Sequence, residues 1–223
     1  MSACPPARPE PTATARGATA KRAKTRALII ATAVDTIAEL GLRRASAATI
    51  AQRSGLSWGV IQYHFGDLLG LLLATFENAI DTYEDNMRAG LSAEGPVEDR
   101  TRELLARQWA QMTDAPYQSL LEIQLELHRE PRVDAAYRAG AVRAGRASRL
   151  AWRTVFVDVD SAIVDRTHDL AISSLRGLAV SHALGTPARA SAGTRKELLA
   201  LTVRALRTSS SAAARPAATA LPR

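Results

Sequence analysis

The chain has 223 residues, 47% of them apolar, and a formal net charge of +7. That length gives one or two domains with room for a real core, and the composition excludes a wholly disordered chain. No apolar run approaches the ~20 residues that span a bilayer, and Pro5, Pro6, Pro9 and Pro11 interrupt the place where a signal peptide would be apolar, so a cytoplasmic protein with no membrane partner is expected.

The ends read as tails. Residues 1–20 and 208–223 are rich in Ala, Pro, Ser and Thr, offer almost no large side chain to bury, and are expected to be disordered. The only cysteine, Cys4, lies in the first of them, so no disulfide can staple the fold. Between the tails the apolar spacing is helical (Ile30, Val34, Ile37), and no long β-branched alternation occurs. The predicted helices are 22–40, closed by Gly41, then 47–54, 58–65, 68–88, 96–113, 117–128, 133–156, 161–184 and 194–207. Pro96, Pro116, Pro131 and Pro187 fall at the joints, where proline is tolerated. The expected fold class is therefore all-α with about nine helices.

Charge is unevenly spread. Within residues 21–70, Lys21, Arg22, Lys24, Arg26, Arg43, Arg44 and Arg53 face only Asp35, Glu39 and Asp67, whereas residues 71–207 are balanced. A basic N-terminal quarter on a neutral body points to a polyanion partner.

Residues 46–65 have the layout of a helix-turn-helix. Ser46 is placed to cap the second helix, Ile50 and Ala51 to face inward, and Gly55 to take the positive φ of a sharp turn. Leu56 plugs the corner, and Ser57 caps the next helix and is also a candidate DNA contact. Ile61 and Phe65, four apart, share its inner face. Gly59 and Tyr63 then point away from Ile61, with Val60 and Gln62 on the flanks and Trp58 at the tip. In such motifs the tip and first turns of the second helix meet base edges. Gln62 suits adenine or a phosphate; Tyr63 offers a ring to a thymine methyl and a hydroxyl to phosphate. The bland alternative makes Trp58 and Tyr63 core aromatics.

These residues resemble the tetracycline-repressor (TetR) family of bacterial regulators over about residues 22–75. The matching positions are Gly41, Ser46, Ile50-Ala51, Ser54-Gly55-Leu56-Ser57 and Tyr63-His64-Phe65. The resemblance implies an N-terminal three-helix DNA-binding domain, residues 21–75, and a C-terminal ligand-binding and dimerisation domain, residues 76–207. It also implies a homodimer on a near-palindromic operator of double-stranded DNA, released by a small-molecule effector of unknown identity. Family DNA contacts carry over to Ser46, Trp58, Gly59, Val60, Gln62, Tyr63 and His64. Two positions depart from the pattern: Gln62 stands where a tyrosine is usual, and Leu68 where a lysine usually meets phosphate. Lys21, Arg22 and Lys24, just before the first helix, are placed to compensate with phosphate contacts.

In the body, Trp109, Met112, Tyr117, Leu121, Leu125, His128, Tyr137, Trp152 and Phe156 are candidates to line an effector pocket. Between Leu170 and Leu184 the only charge is Arg176. A helix apolar nearly all round is buried on several sides. Ala171, Ser174, Leu175, Leu178 and Ser181, with Leu198, Leu201 and Ala205 on the last helix, are the candidates for a four-helix dimer interface; the alternative is monomer core. Asp165, His168 and Asp169 have a possible metal spacing, but without cysteine or a paired histidine a polar helix face is the simpler reading, so no metal and no cofactor are expected. No nucleophile–base set or phosphate-binding glycine loop stands out, so no catalytic residue is assigned. Besides a ligand-responsive repressor, the sequence allows a DNA-associated structural protein, or a helical small-molecule carrier or enzyme.

Overall fold

The computed structural model describes residues 13–213. Among these it has nine α-helices and no strand. They are α1 (Ala13–Leu40), α2 (Ala47–Ser54), α3 (Trp58–Phe65), α4 (Leu68–Arg88), α5 (Val97–Thr113), α6 (Ala115–Arg129), α7 (Asp134–Val155), α8 (Ser161–Ala183) and α9 (Ala188–Ala213), with a single 3-10 turn at Leu42–Arg44. The all-α expectation holds. Two helices, α1 and α9, are longer than expected, and α9 begins at Ala188 rather than at 194. Residues 13–20, expected as tail, are the first turns of α1. The last proline before them is Pro11, and the four alanines and Arg16 of the run favour a helix even against Thr14, Gly17 and Thr19. Likewise α9 continues past Arg207 to Ala213. Residues 1–12, with Cys4, and 214–223 lie outside the described residues.

The chain forms two compact units that divide between Thr75 and Phe76, within α4. In the first, α1 contributes Ile29, Ile30 and Ala33, α2 contributes Ile50 and Ala51, α3 contributes Ile61, and α4 contributes Leu71 and Ala74. Ile61 is fully buried. Removing its side chain beyond Cβ would cost about 2–5 kcal/mol, because a cavity would remain. Leu68 packs at the edge of this cluster.

The junction of α3 and α4 is tight. Gly66 ends α3 at φ 81°, and the Asp67 carboxylate accepts the Gly70 N–H at 2.8 Å. A Cβ on Gly70 would stand 2.0 Å from the carbonyl oxygen of Phe65. Only glycine lets the first turn of α4 lie against that carbonyl.

The second unit has its own core, in which Trp152, Phe156, Leu104, Val164, Leu175 and Leu206 are almost completely buried. A polar chain threads it. The Trp152 indole N–H donates to Gln108 Oε1 at 3.3 Å, and the Gln108 amide donates to Ser148 Oγ at 3.5 Å. Ser148 Oγ is 2.9 Å from His168 Nε2, and His168 Nδ1 is 2.8 Å from Asp169 Oδ1. A neutral histidine satisfies every link: Nε2 accepts from the hydroxyl and Nδ1–H donates to the carboxylate. Nearby, Arg100 holds Asp158 with two 2.8 Å hydrogen bonds, donates to the Val155 carbonyl at 2.6 Å, and lies against the Phe156 ring.

Burial pushes the His168 imidazole below its ordinary value near 6.5, against the opposing pull of Asp169. The unfolded chain therefore takes up this proton first as pH falls. Stability of the second unit is expected to decline as pH drops below about 6.5. In His168→Gln that decline should flatten between neutrality and the carboxylate range. Thermal melts at closely spaced pH values check this; an unchanged slope in the variant would refute it.

Candidate nucleic-acid interface

The first unit builds a helix-turn-helix from local chemistry. Ser46 caps α2, its Oγ accepting the Thr49 N–H at 3.2 Å. Gly55 takes φ 68°, and the Leu56 N–H returns to the Ala51 carbonyl at 3.2 Å, closing α2 through a left-handed cap. Ser57 caps α3 by accepting the Val60 N–H at 3.4 Å. The Arg53–Glu39 ion pair adds a tie between α2 and α1.

With Ile61 held inside, the outer face of α3 is set. Ser57, Gly59, Gln62 and Tyr63 are exposed, and Tyr63 presents 69% of its surface to solvent. A tyrosine so exposed contributes little to the core. Val60 and His64 are half-buried on the flanks. Trp58 is also half-buried and packs on the core cluster, so part of its ring serves the fold. Ser46 is exposed at the N-terminus of α2, its hydroxyl also 2.8 Å from that of Thr49.

Lys21, Arg22 and Lys24 are exposed on α1. They are thus helical residues rather than an arm preceding the first helix. The Arg22 guanidinium lies over the Tyr63 ring, 5.0 Å from its centroid, and Arg26 lies 5.3 Å from the centroid of Phe65. Such cation–π contacts are worth about 0.5–1 kcal/mol at exposed sites. Here they tie the basic face of α1 to α3. Arg26 was absent from the sequence-derived candidates; its spacing of four from Arg22, which puts both on one helix face, was the available signal.

The candidates in the second unit divide sharply. Met112, Trp152 and Phe156 are interior, with Trp109 and Tyr117 packed at the edge of the same cluster. Leu121 is half-buried, as is Tyr137, whose ring is 5.1 Å from that of Phe76. Leu125 is 61% exposed and His128 is exposed, so neither lines an interior cavity. α6 turns Ile123 and Leu127 inward instead. Of the interface candidates, Ala171, Leu175 and Leu198 belong to the core of the unit and cannot meet a partner. Ser174, Leu178, Ser181 and Ala205 are half-buried, and Leu201 is 52% exposed. The outward large apolar residues here are Leu170 and Val180 of α8 and Leu184 at its C-cap. An all-round apolar pattern gives no sign of which face looks out.

Among the described residues no group of histidine, cysteine and carboxylate side chains could hold a metal ion. Asp165 pairs with Arg153, and Asp169 with Arg149 and His168. Arg153 holds the Asp165 carboxyl below its usual range, and His168 does the same for Asp169. Nor, among the described residues, is any single helix long and apolar enough to cross a membrane.

No family model matches the chain. It is similar to the HTH-type transcriptional regulator BetI of Paraburkholderia phytofirmans, 32% identical over 93 residues, which is 41% of this chain and 48% of that protein. The chain thus spans about half the length of the curated relatives it matches. Its fold is similar to that of a solved TetR-family transcriptional regulator of Mesorhizobium loti, with a TM-score of 0.66, 19% identity, and coverage of 84% of this chain and 97% of that one. It is also similar to the multidrug binding protein EbrR solved with imidazole, with a TM-score of 0.61, 17% identity, and coverage of 81% of this chain and 94% of that one.

Proposed function

On the premise that the chain has the fold of TetR-family regulators, we propose that it is a sequence-selective DNA-binding transcription regulator whose reading element is α3. The observation that carries the proposal is the two-sided build of α3: Ile61 fully buried on one side, Gly59, Gln62 and Tyr63 exposed on the other. An exposed Gly–Gln–Tyr face on a capped helix, beside exposed cations on α1, has the chemistry to read base edges and grip phosphate. Mapping its binding sites across the source genome tests this. Recurrent sites sharing one motif are expected; sites scattered without a shared motif would refute it.

Lys21 and Lys24 supply sequence-independent affinity. Lys24→Ala is expected to weaken binding to all sequences alike and to lower the slope of log affinity against log salt by about one unit per site. A selective change of base preference would mean that this residue reads bases.

The regulator acts as a homodimer that meets a near-palindromic site. Leu170 and Gly177 of α8 and its C-cap residue Leu184 recur every seven residues, with Ser174 and Ser181 between them. Leu184 is 82% exposed, and Leu201 of α9 is the candidate to extend this apolar stripe. Small residues allow close helix approach, and seven-residue spacing suits a helix seam. Because both leucines are exposed in the single chain, Leu184→Glu with Leu201→Glu should leave the fold intact and convert the dimer to a monomer. Sedimentation in dilute solution reads the outcome; a wild-type monomer would contradict it.

A small molecule bound by the second unit controls release from DNA, so that the chain acts as a repressor. The imidazole complex of EbrR, a multidrug binding protein of the same fold, supports this reading. Met112, Trp152 and Phe156 fill the interior, so an effector there must displace them and favour a different arrangement. α4 belongs to both units and is the covalent route between them. Reading heads must stand about 34–36 Å apart to enter successive major grooves. Operator DNA must therefore weaken effector binding by the factor by which effector weakens operator binding.

A further inference from the structure

A groove of about 500 Å³ runs along the seam of α5 and α9 in the second unit. Its floor is apolar, formed by Leu199, Ala200 and Val203 of α9. Its rim is cationic: Arg102 of α5, and Lys196, Arg204 and Arg207 of α9. Among the described residues, a single carboxylate, Glu98, borders it, and that one is already shared. One oxygen takes Arg102 at 2.9 Å and the other takes Arg207 at 3.3 Å. Both arginine side chains stay more than half exposed.

We propose that this groove binds a small amphipathic anion: a hydrocarbon body on the Leu199–Val203 floor, and a carboxylate among the cations of the rim. The volume falls in the range of small-molecule sites, roughly 300–1,000 Å³. The apolar floor gives a hydrocarbon chain somewhere to leave water. The excess of cations over carboxylates makes an anion the complementary headgroup.

The other occupants fit worse. A second copy seated here about a two-fold axis would bring the same basic rim against itself. The ends of the chain do not match in charge either. Residues 214–223 carry Arg215 and Arg223 with no acid, and residues 1–12 carry Arg8 against Glu10. Nor is the groove the stripe proposed for dimerisation. At 100° per residue Leu201 stands about 160° around α9 from Val203. A dimer built on Leu201 therefore leaves the Leu199 and Val203 part of the floor uncovered, although Arg204 stands only about 60° from Leu201. The inference does not rest on DNA reading and is tested without DNA.

The test is isothermal titration of the full chain with dodecanoate below its micelle concentration, beside dodecyltrimethylammonium and dodecanol. Saturable binding of about one dodecanoate per chain is expected, at least about tenfold tighter than either control. Ala200 is exposed, so Ala200→Asp can place an anion on the floor without disturbing the core. It should weaken dodecanoate at least about tenfold and leave the melting curve unchanged. Leu150→Glu, exposed on α7 and outside the groove, should leave binding unchanged. Three results would overturn the proposal: no saturable binding, equal binding of the cationic amphiphile, or undiminished binding by a folded Ala200→Asp chain. The last would place the ligand elsewhere in the unit.

Discussion

Tyr63→Ala is expected to weaken binding to a specific site about five- to 150-fold, while costing the fold at most about 1 kcal/mol. The ring is 69% exposed, so its removal takes almost nothing from the core. On DNA it would offer an apolar edge to a thymine methyl and a hydroxyl to phosphate. Losing a base contact of this kind costs about 1–3 kcal/mol, and every 1.4 kcal/mol is a factor of ten. A second consequence comes from Arg22, whose guanidinium stacks on this ring. Without the ring, Arg22 loses the surface that orders it, so any phosphate contact it supplies should weaken as well. Tyr63→Phe keeps the ring and the stacking but lacks the hydroxyl, so it should retain part of the affinity. Competition between specific and random duplexes reads these effects. Equal affinity of Tyr63→Ala and wild-type for the specific duplex would remove Tyr63 from the reading face.

The largest stability effect is expected at Gly70. The added methyl of Gly70→Ala would stand 2.0 Å from the Phe65 carbonyl oxygen. That neighbour is backbone, so no side-chain rotation can relieve the clash. The turn between α3 and α4 must open, loosening the Asp67 cap on the Gly70 N–H and the packing of Leu71. A cost of about 3 kcal/mol or more follows, at the upper end for overpacking because backbone has to move. Gly145, in the middle of α7, provides the contrast. A Cβ there meets nothing within 4 Å. Gly145→Ala should therefore stabilise by up to about 1 kcal/mol through helix propensity alone. Chemical denaturation of the two variants would show opposite signs. If Gly70→Ala were as stable as wild-type, the tight α3–α4 junction would be wrong.

What was legible in the sequence follows from how local each determinant is. Ser46, Gly55 and Ser57 act within three or four residues of themselves, so the limits of α2 and α3 could be read from the chain. The inward set Ile50, Ala51 and Ile61 follows from helical spacing. Cross-helix relations were not legible. Nothing in the run from Lys21 to Arg26 says that Arg22 lies over Tyr63, because that depends on how α1 crosses α3. The second unit shows the same limit. Ala171 and Leu175 share an apolar helix with Leu170 and Leu184, and only packing decides which pair faces out. His128 and Leu125 were candidates by residue type, yet α6 turns Ile123 and Leu127 inward. The helical start at Ala13 was missed because small, polar and basic residues look like tail by burial arguments, although their helix propensity is high.

The most direct test of the central claim, that α3 reads DNA sequence, is selection from a random duplex pool with the full-length chain at physiological salt. A near-palindromic motif is expected, with half-sites one helical turn or a multiple apart and a changed preference in both half-sites when Gln62 or Tyr63 is replaced. A pool that emerges without an enriched motif, bound with an affinity that depends on salt alone, would contradict it.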